Sequence, residues 1–162
     1  MRRLARTLLV TSAALAVGCA SAYQSTYDET YDQLESQANA ERQKEEAEHA
    51  EAKRYAAVVY FATGSALLDA EGQREISWFV EKMQPFPKAM IDVQGFTDST
   101  GSEATNVALS TQRAQAVVNA LVSGGIAPER IRQAHYAANY QAATNTTPQG
   151  RRNNRRVEIS VQ

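Results

Sequence analysis

The chain has 162 residues, of which 43% are hydrophobic, 22% charged and 7% aromatic, which is enough for one domain with appendages but not for two full domains. Its formal net charge of -1 gives no sign of a nucleic-acid-binding protein or of a strongly acidic tail. One cysteine and two histidines exclude a disulfide framework within the chain, a CxxC site and a His-rich zinc site. We therefore expect no metal and no cofactor.

Charge is distributed unevenly along the chain. Residues 1–22 contain three arginines and no acid, whereas residues 23–54 contain nine acids against four bases and residues 55–162 nine acids against ten bases. Such shifts in composition mark boundaries between segments with different roles. Together with the patterns described below, they predict a signal peptide over 1–18, a charged spacer over 19–54 and a globular domain over 55–162.

The first segment is typical of a secretory signal peptide. Arg2, Arg3 and Arg6 precede a short apolar run over residues 8–17, and small residues follow it. A membrane-spanning helix needs about 20 apolar residues, so this run predicts export rather than a permanent transmembrane helix.

Two processing sites remain open after this apolar run. The small residues before Cys19 resemble a bacterial lipobox, in which the cysteine becomes the lipidated N-terminus. The alternative is the A-x-A site of residues 20–22, which would release a soluble periplasmic protein. We favour Cys19 because a lone cysteine at this position has an obvious use only when acylated. By resemblance to bacterial lipoproteins, Ala20 after that cysteine indicates a lipid anchor in the outer membrane, with the chain facing the periplasm.

The spacer has the composition of a solvated helix. Residues 23–55 contain neither glycine nor proline and are rich in good helix formers. An apolar stripe at helical spacing begins the segment but ends where Glu41, Glu45 and Glu48 would continue it, so a sustained coiled coil is not predicted. The residues of the stripe are Tyr23, Tyr27, Tyr31, Leu34 and Ala38.

The domain alternates between strand and helix patterns. Strands are predicted over 56–61, 90–95, 131–136 and 157–161. A first helix follows the N-cap Asp69 and buries Ile76, Phe79, Val80 and Met83, and a second covers 103–123. The order βαβαββ predicts an α/β fold, an open sandwich with a mixed sheet and helices on one face. The buried stripe expected on the second helix consists of Leu109, Ala116, Val117, Ala120 and Leu121.

A candidate binding site lies where the second predicted strand leads into the second helix. Asp98 lies in the connecting loop, and Asn106 and Arg113 share one helix face because they are seven residues apart. A carboxylate suits an ammonium group and a guanidinium suits a carboxylate, so together they suit a zwitterionic ligand. The alternative is a structural ion pair between Asp98 and Arg113, and the pattern alone leaves both open.

Several motifs resemble the OmpA/MotB/Pal-type peptidoglycan-binding domain over residues 55–162. The resemblance implies that Asp98 and Arg113 hold the diaminopimelate residue of the stem peptide and that Thr97 and Asn106 contact the ligand beside them. Phe96 stands where the family usually has histidine, and we expect it to pack beside the pocket. The motifs are FATGSAL at 61–67, GFTDSTG at 95–101, Asn106, LSTQRA at 109–114 and GRRNNRRVEI at 150–159.

The resemblance implies that the chain is a bacterial envelope lipoprotein. Its implied function is non-catalytic peptidoglycan binding that tethers the outer membrane to the cell wall. A Tol-associated or other envelope scaffold that recruits protein partners is the alternative. A cell-wall hydrolase is a further one, but it requires two carboxylates across a cleft, or a nucleophile with its base, and the sequence offers neither cleanly. We expect no nucleic-acid partner, because Arg151, Arg152, Arg155 and Arg156 make only a small basic cluster, suited to holding loops and capping the sheet.

Overall fold

The computed structural model describes the backbone of residues 2–162 and the side chains of residues 24–162. Cys19 and the predicted signal peptide over 1–18 lie outside the residues whose side chains are described. The chain divides into two compact units, residues 1–46 and residues 47–162. The predicted boundary after residue 54 remains a prediction.

The first helix, α1 (Arg2–Ala52), contains the predicted spacer. Its apolar stripe is exposed to solvent: Tyr27 and Tyr31 are each 58% exposed, and Leu34 is 60% exposed. The spacer is therefore helical as far as Ala52 and largely solvated over its described residues, apart from Ala52 itself, which is buried. Within residues 24–162, no helix has the length and apolarity needed to cross a membrane.

The second unit contains a four-stranded mixed sheet, as predicted. Its strand order is β1-β4-β2-β3, with β4 antiparallel to both of its neighbours and β2 parallel to β3. The elements are β1 (Ala56–Tyr60), α2 (Ala70–Met83), β2 (Ile91–Phe96), α3 (Glu103–Ser123), a 3₁₀ turn (Pro128–Arg130), β3 (Ile131–Ala137), α4 (Pro148–Asn154) and β4 (Arg156–Val161).

Helix α4 was not predicted from the sequence. It has only seven residues, which is too short for a helical periodicity to be recognised. Its start carries two local signals, since the Thr147 side chain accepts a hydrogen bond from the Gly150 amide and Pro148 occupies the first turn.

Helices α2 and α3 pack on one face of the sheet, as expected. The N-cap of α2 is Asp69, whose Oδ1 accepts from the Gly72 amide at 2.8 Å, and the predicted face of this helix is buried. Buried strand residues alternate with outward-facing ones, as the two-residue period of a strand requires. The buried strand residues that follow this alternation are Ala57, Val59, Ile91, Val93, Val157, Ile159 and Val161.

Helix α3 approaches the sheet closely and buries a different stripe from the predicted one. A Cβ at Gly95 would lie 2.3 Å from the Ser110 carbonyl oxygen, so β2 has glycine where the helix crosses it. The prediction was right for Val117 and Leu121, but Leu109, Ala116 and Ala120 are only half-buried. Polar side chains occupy part of the buried face instead, and backbone carbonyls accept hydrogen bonds from those of Ser110 and Arg113. The buried residues are Asn106, Ser110, Arg113, Ala114, Val117 and Leu121.

Candidate functional site

Arg113, in the middle of α3, joins the loop between β1 and α2 to the end of β2. It is the largest fully buried side chain among the described residues, and its Nε donates to the Ser65 carbonyl at 2.8 Å. Its Nη2 donates to Ala62 O at 3.0 Å and its Nη1 to Phe96 O at 3.2 Å. A guanidinium has five N–H donors, so these bonds leave one N–H on each terminal nitrogen. Arg113 thus holds the β1–α2 loop against the end of β2.

The environment of Arg113 affects its charge only modestly. Burial lowers the pKa of this guanidinium to about 10, an effect increased by the positive charge of Arg155 and opposed by the negative charge of Asp98. Arg113 therefore stays positively charged at neutral pH. A buried charge of this kind is stable only where hydrogen bonds and opposite charge replace water.

Asp98 begins the loop that precedes α3 and is 5% exposed. Its Oδ1 accepts from the Thr100 amide at 2.9 Å, and its Oδ2 accepts from Arg155 Nη1 at 3.0 Å. Burial raises the pKa of the Asp98 carboxyl, but the hydrogen bonds from Thr100 and the Arg155 guanidinium outweigh burial and hold this pKa below its ordinary value. Asp98 is therefore ionised at neutral pH.

Arg155, and not Arg113, is the ion-pair partner that the structure gives to Asp98. Besides this pair, the Nε of Arg155 donates to the Phe61 carbonyl at 3.0 Å. Sequence analysis placed Arg155 in a basic cluster with a structural role and did not connect it with Asp98. The motif GRRNNRRVEI was the only signal, and it could not distinguish one arginine from the next.

Thr97 and Asn106 are also buried, at 2% and 5% exposure. The Thr97 amide donates to Ala137 O at 2.8 Å, whereas its Oγ1 is buried without a hydrogen-bond partner among the described residues. Asn106 lies on the buried face of α3, as does Arg113. The structure thus brings all four predicted residues to the junction of β2 and α3.

Helix α4 fixes a second loop, residues 138–147, beside this junction. The fully buried Asn154 donates from Nδ2 to Ala143 O at 2.7 Å and to Asn145 Oδ1 at 2.9 Å, and it accepts from the Ala143 amide at 2.9 Å. Asn145 Oδ1 also accepts from the Ser99 amide at 3.2 Å. The loop is therefore attached both to α4 and to the loop that carries Asp98.

Phe96 packs away from the ion pair, consistent with the expectation for this position. Its ring is 3% exposed and stacks on Tyr136, with 5.5 Å between the ring centroids. Only its backbone carbonyl takes part in the site, as an acceptor for Arg113.

The electrostatics of the site favour an acidic group on the ligand. Arg113 and Arg155 carry two positive charges around the single negative charge of Asp98, an excess of one positive charge in a partly desolvated place. Charge-assisted hydrogen bonds to a carboxylate are strong in such surroundings. Within residues 24–162, no group of three or more His, Cys, Asp or Glu side chains is arranged to hold a metal ion.

The fold and this junction define a small mixed α/β domain with a buried Asp–Arg site at the strand-to-helix turn. A family model described as the OmpA family matches residues 60–155, which is more than half of the chain. The chain therefore belongs to the OmpA family, as its motifs predicted.

Relatives of known name agree with this membership. The chain is 37% identical over 103 residues to a probable lipoprotein, YiaD, of Escherichia coli K12, covering 64% of this chain and 47% of that one. It is 39% identical over 98 residues to the peptidoglycan-binding protein ArfA of Mycobacterium tuberculosis H37Rv, covering 60% and 30%. The chain thus spans about half or less of the length of these relatives. The crystal structure of the peptidoglycan-associated lipoprotein of Burkholderia pseudomallei is similar, with a TM-score of 0.63, 25% identity and coverage of 65% and 90%.

Proposed function

We propose that the chain binds peptidoglycan without catalysis and tethers the outer membrane to the cell wall. The observation that carries the proposal is the ionised Asp98, which pairs with the partly buried guanidinium of Arg155 and interacts through its charge with the fully buried guanidinium of Arg113. Relatives named as a peptidoglycan-binding protein and as a peptidoglycan-associated lipoprotein support it.

The ligand of this site is the diaminopimelate residue of the stem peptide. Asp98 accepts hydrogen bonds from its ammonium group, and the two remaining N–H groups of Arg113 donate to its carboxylate. The unpartnered Oγ1 of Thr97 and the amide of Asn106 supply further polar contacts. The excess positive charge of the two arginines favours a ligand with a second carboxylate.

The state of Asp98 argues against its serving as the general acid of a hydrolase. A general acid must be protonated near the working pH, whereas the pKa of this carboxyl is held below its ordinary value. The runner-up function is a scaffold for envelope proteins, and the exposed stripe of Tyr27, Tyr31 and Leu34 favours it. Binding of a partner through the spacer is compatible with wall binding by the domain.

Binding of purified sacculi by an Asp98→Asn variant tests the site. The substitution keeps the shape of the side chain and removes its charge, so we expect a loss of affinity of at least tenfold. Truncating one member of a buried charge pair typically costs about 2–5 kcal/mol. Asp92→Asn is the matched control, because Asp92 is a half-buried aspartate on the outward face of β2, the strand that leads into the loop of Asp98.

Competition by small ligands identifies the group that is bound. Free diaminopimelate should displace the protein from sacculi, and lysine, which lacks the second carboxylate, should compete poorly. If Asp98→Asn bound sacculi as tightly as the parent protein, the site assignment would be overturned. If the parent protein failed to bind sacculi, the proposed function would be overturned.

The lipid anchor is proposed on Cys19. Mass spectrometry of the mature protein should find an acylated N-terminal cysteine in the outer-membrane fraction. An unmodified N-terminus at Tyr23 would instead establish cleavage at the A-x-A site and a soluble periplasmic protein.

A further inference from the structure

A cavity lies on the outward face of the sheet, opposite α2 and α3. Because side chains alternate along strands, Gln94 of β2 and Glu158 of β4, which are register partners, face away from the core. The cavity has a volume of about 400 Å³ and is lined by Gln94, Phe96, Tyr136, Tyr140, Arg156 and Glu158. Small-molecule sites have volumes of about 300–1,000 Å³, so this cavity is large enough for a small ligand.

Aromatic rings form one wall of the cavity. Tyr136 stacks on Phe96 and meets Tyr140 edge to face, with 5.1 Å between the two tyrosine centroids. Tyr140 is 63% exposed, which is unusual for a large aromatic side chain in contact with other rings. The negative face of an aromatic ring attracts weakly positive C–H groups, and one face of a pyranose ring consists of such groups.

A pair of planar charged groups forms the other wall. Arg156 Nε donates to Glu158 Oε1 at 2.6 Å, and the guanidinium lies 4.0 Å from the centroid of the Phe96 ring. Arg156 is only 6% exposed, and its Nη1 is buried without a hydrogen-bond partner among the described residues. A buried donor without an acceptor is costly, and a ligand oxygen in the cavity would satisfy it.

The charge of the cavity selects the class of ligand. The charges of Arg156 and Glu158 cancel each other. The carboxylate of Glu158 would repel an anion, and the guanidinium of Arg156 would repel a cation. A neutral ligand with adjacent donors and acceptors fits both groups and the Gln94 amide. Together with the aromatic wall, this combination is that of a saccharide site.

We propose that this cavity binds one N-acetylhexosamine unit of the glycan strand. The inference rests on the proposed function, since the same polymer would bring both the sugar and the stem peptide. The chain makes the two sites neighbours: Phe96 lines the cavity two residues before Asp98, and Arg156 lines it one residue after Arg155, the partner of Asp98. One wall polymer can therefore contact both.

The proposal is tested by titrating the full chain with a neutral N-acetylglucosamine oligomer. Binding is monitored by NMR, in a detergent whose headgroup contains no sugar. We expect saturable binding, with shifts at Gln94, Tyr136 and Tyr140, and weaker binding of a glucose oligomer that lacks acetamido groups. Tyr140→Ala should lower the affinity at least tenfold. The control is Tyr60→Ala, which removes a tyrosine that is 43% exposed on the edge strand and outside this cavity, and its affinity should equal that of the parent protein.

The outcomes separate this proposal from the stem-peptide site. Asp98→Asn should lose diaminopimelate and keep the oligosaccharide, and Tyr140→Ala should do the reverse. Absence of saturable binding by the parent protein, or an affinity of Tyr140→Ala within twofold of the parent, would overturn the saccharide site. Binding of sacculi that depends on Asp98 would still stand in either case.

Discussion

Arg155 Nη1 lies 3.0 Å from Asp98 Oδ2, although the two residues are 57 positions apart in the sequence. The same guanidinium holds the Phe61 carbonyl, so one side chain connects the end of β1, the start of β4 and the loop before α3. Together with the hydrogen bonds from Thr100, it also lowers the pKa of Asp98. Arg155 therefore both shapes the proposed site and helps to keep its carboxylate ionised.

Replacing Arg155 should raise the pKa of Asp98. In Arg155→Gln the effect of burial, which raises this pKa, is opposed only by the hydrogen bonds from Thr100. The Asp98 carboxyl resonance, followed by NMR from about pH 6 to about pH 2, should titrate at a higher pH than in the parent protein. Arg152→Gln is the control, since Arg152 is an exposed neighbour on α4, and it should leave the titration unchanged.

The same variant should change the dependence of stability on pH. A carboxyl whose pKa is lowered by folding stabilises the protein above its unfolded pKa, and this contribution disappears as the pH falls through its folded pKa. In the parent protein, the contribution of Asp98 is therefore lost as the pH falls from the ordinary value of 3.8 toward the lower folded pKa. In Arg155→Gln the folded pKa is raised toward or above that ordinary value, so this contribution shrinks. The free energy of urea unfolding should be lower at neutral pH than in the parent protein and should fall less as the pH drops through this range. Parallel pH profiles for the two proteins would contradict the role given to Arg155.

Arg113→Ala should destabilise the fold as well as weaken binding. The change leaves the buried carbonyl of Phe96 and the partly buried carbonyls of Ala62 and Ser65 without their donor, and a buried acceptor left unpaired costs about 1–3 kcal/mol. Urea unfolding should show a loss of about 1–3 kcal/mol. Arg113→Lys should lose less, because it keeps the charge but not the planar fork of donors.

The control for Arg113 is Arg132→Ala, which removes an exposed arginine from β3 and should change stability by less than about 0.5 kcal/mol. Wild-type stability of Arg113→Ala would mean that the three carbonyls find other donors. It would also remove the structural part of the role assigned to this residue.

The strands and long helices were predictable because each has a period that its own residues display. The α2 face and the bounds of α3 follow directly from apolar spacing and caps. Pattern failed where burial is polar: the inner face of α3 includes Asn106, Ser110 and Arg113. The partners of Arg113 are backbone carbonyls that are distant in sequence. The Asp98–Arg155 pair was unpredictable for the same reason, since neither residue carries a local sign of the other.

Asn154→Ala should loosen the loop of residues 138–147 without unfolding the sheet. Asn154 is fully buried and makes three hydrogen bonds to Ala143 and Asn145. Hydrogen exchange at the Ala143 amide should accelerate by at least tenfold, equivalent to about 1.4 kcal/mol of lost protection. Asn153→Ala, which removes only an exposed contact with Gln149, should leave this exchange rate unchanged. Equal rates in the two variants would show that another contact fixes the loop.

The position of the domain boundary can be tested with two fragments. The compact unit begins at Ala47, whereas the charge pattern places the start at residue 55. Ala52 is fully buried in the core, and the Tyr55 amide donates to its carbonyl at 3.1 Å. Tyr55 in turn packs edge to face on Trp78, with 6.2 Å between the ring centroids.

Both fragments should fold, but residues 47–162 should be more stable than residues 55–162. Removing the last turn of α1 exposes the apolar surface that Ala52 covers and frees the Tyr55 side chain. The free energy of unfolding should fall by about 1 kcal/mol, because each buried methylene-sized group contributes about 0.8 kcal/mol. Thermal unfolding of the two fragments measures the difference. Ala52→Ser in the longer fragment is the matched variant, since it perturbs the same contact without removing the helical turn.

Equal melting temperatures of the two fragments would place the boundary at residue 55. Failure of the longer fragment to fold would show that the domain requires residues before Ala47.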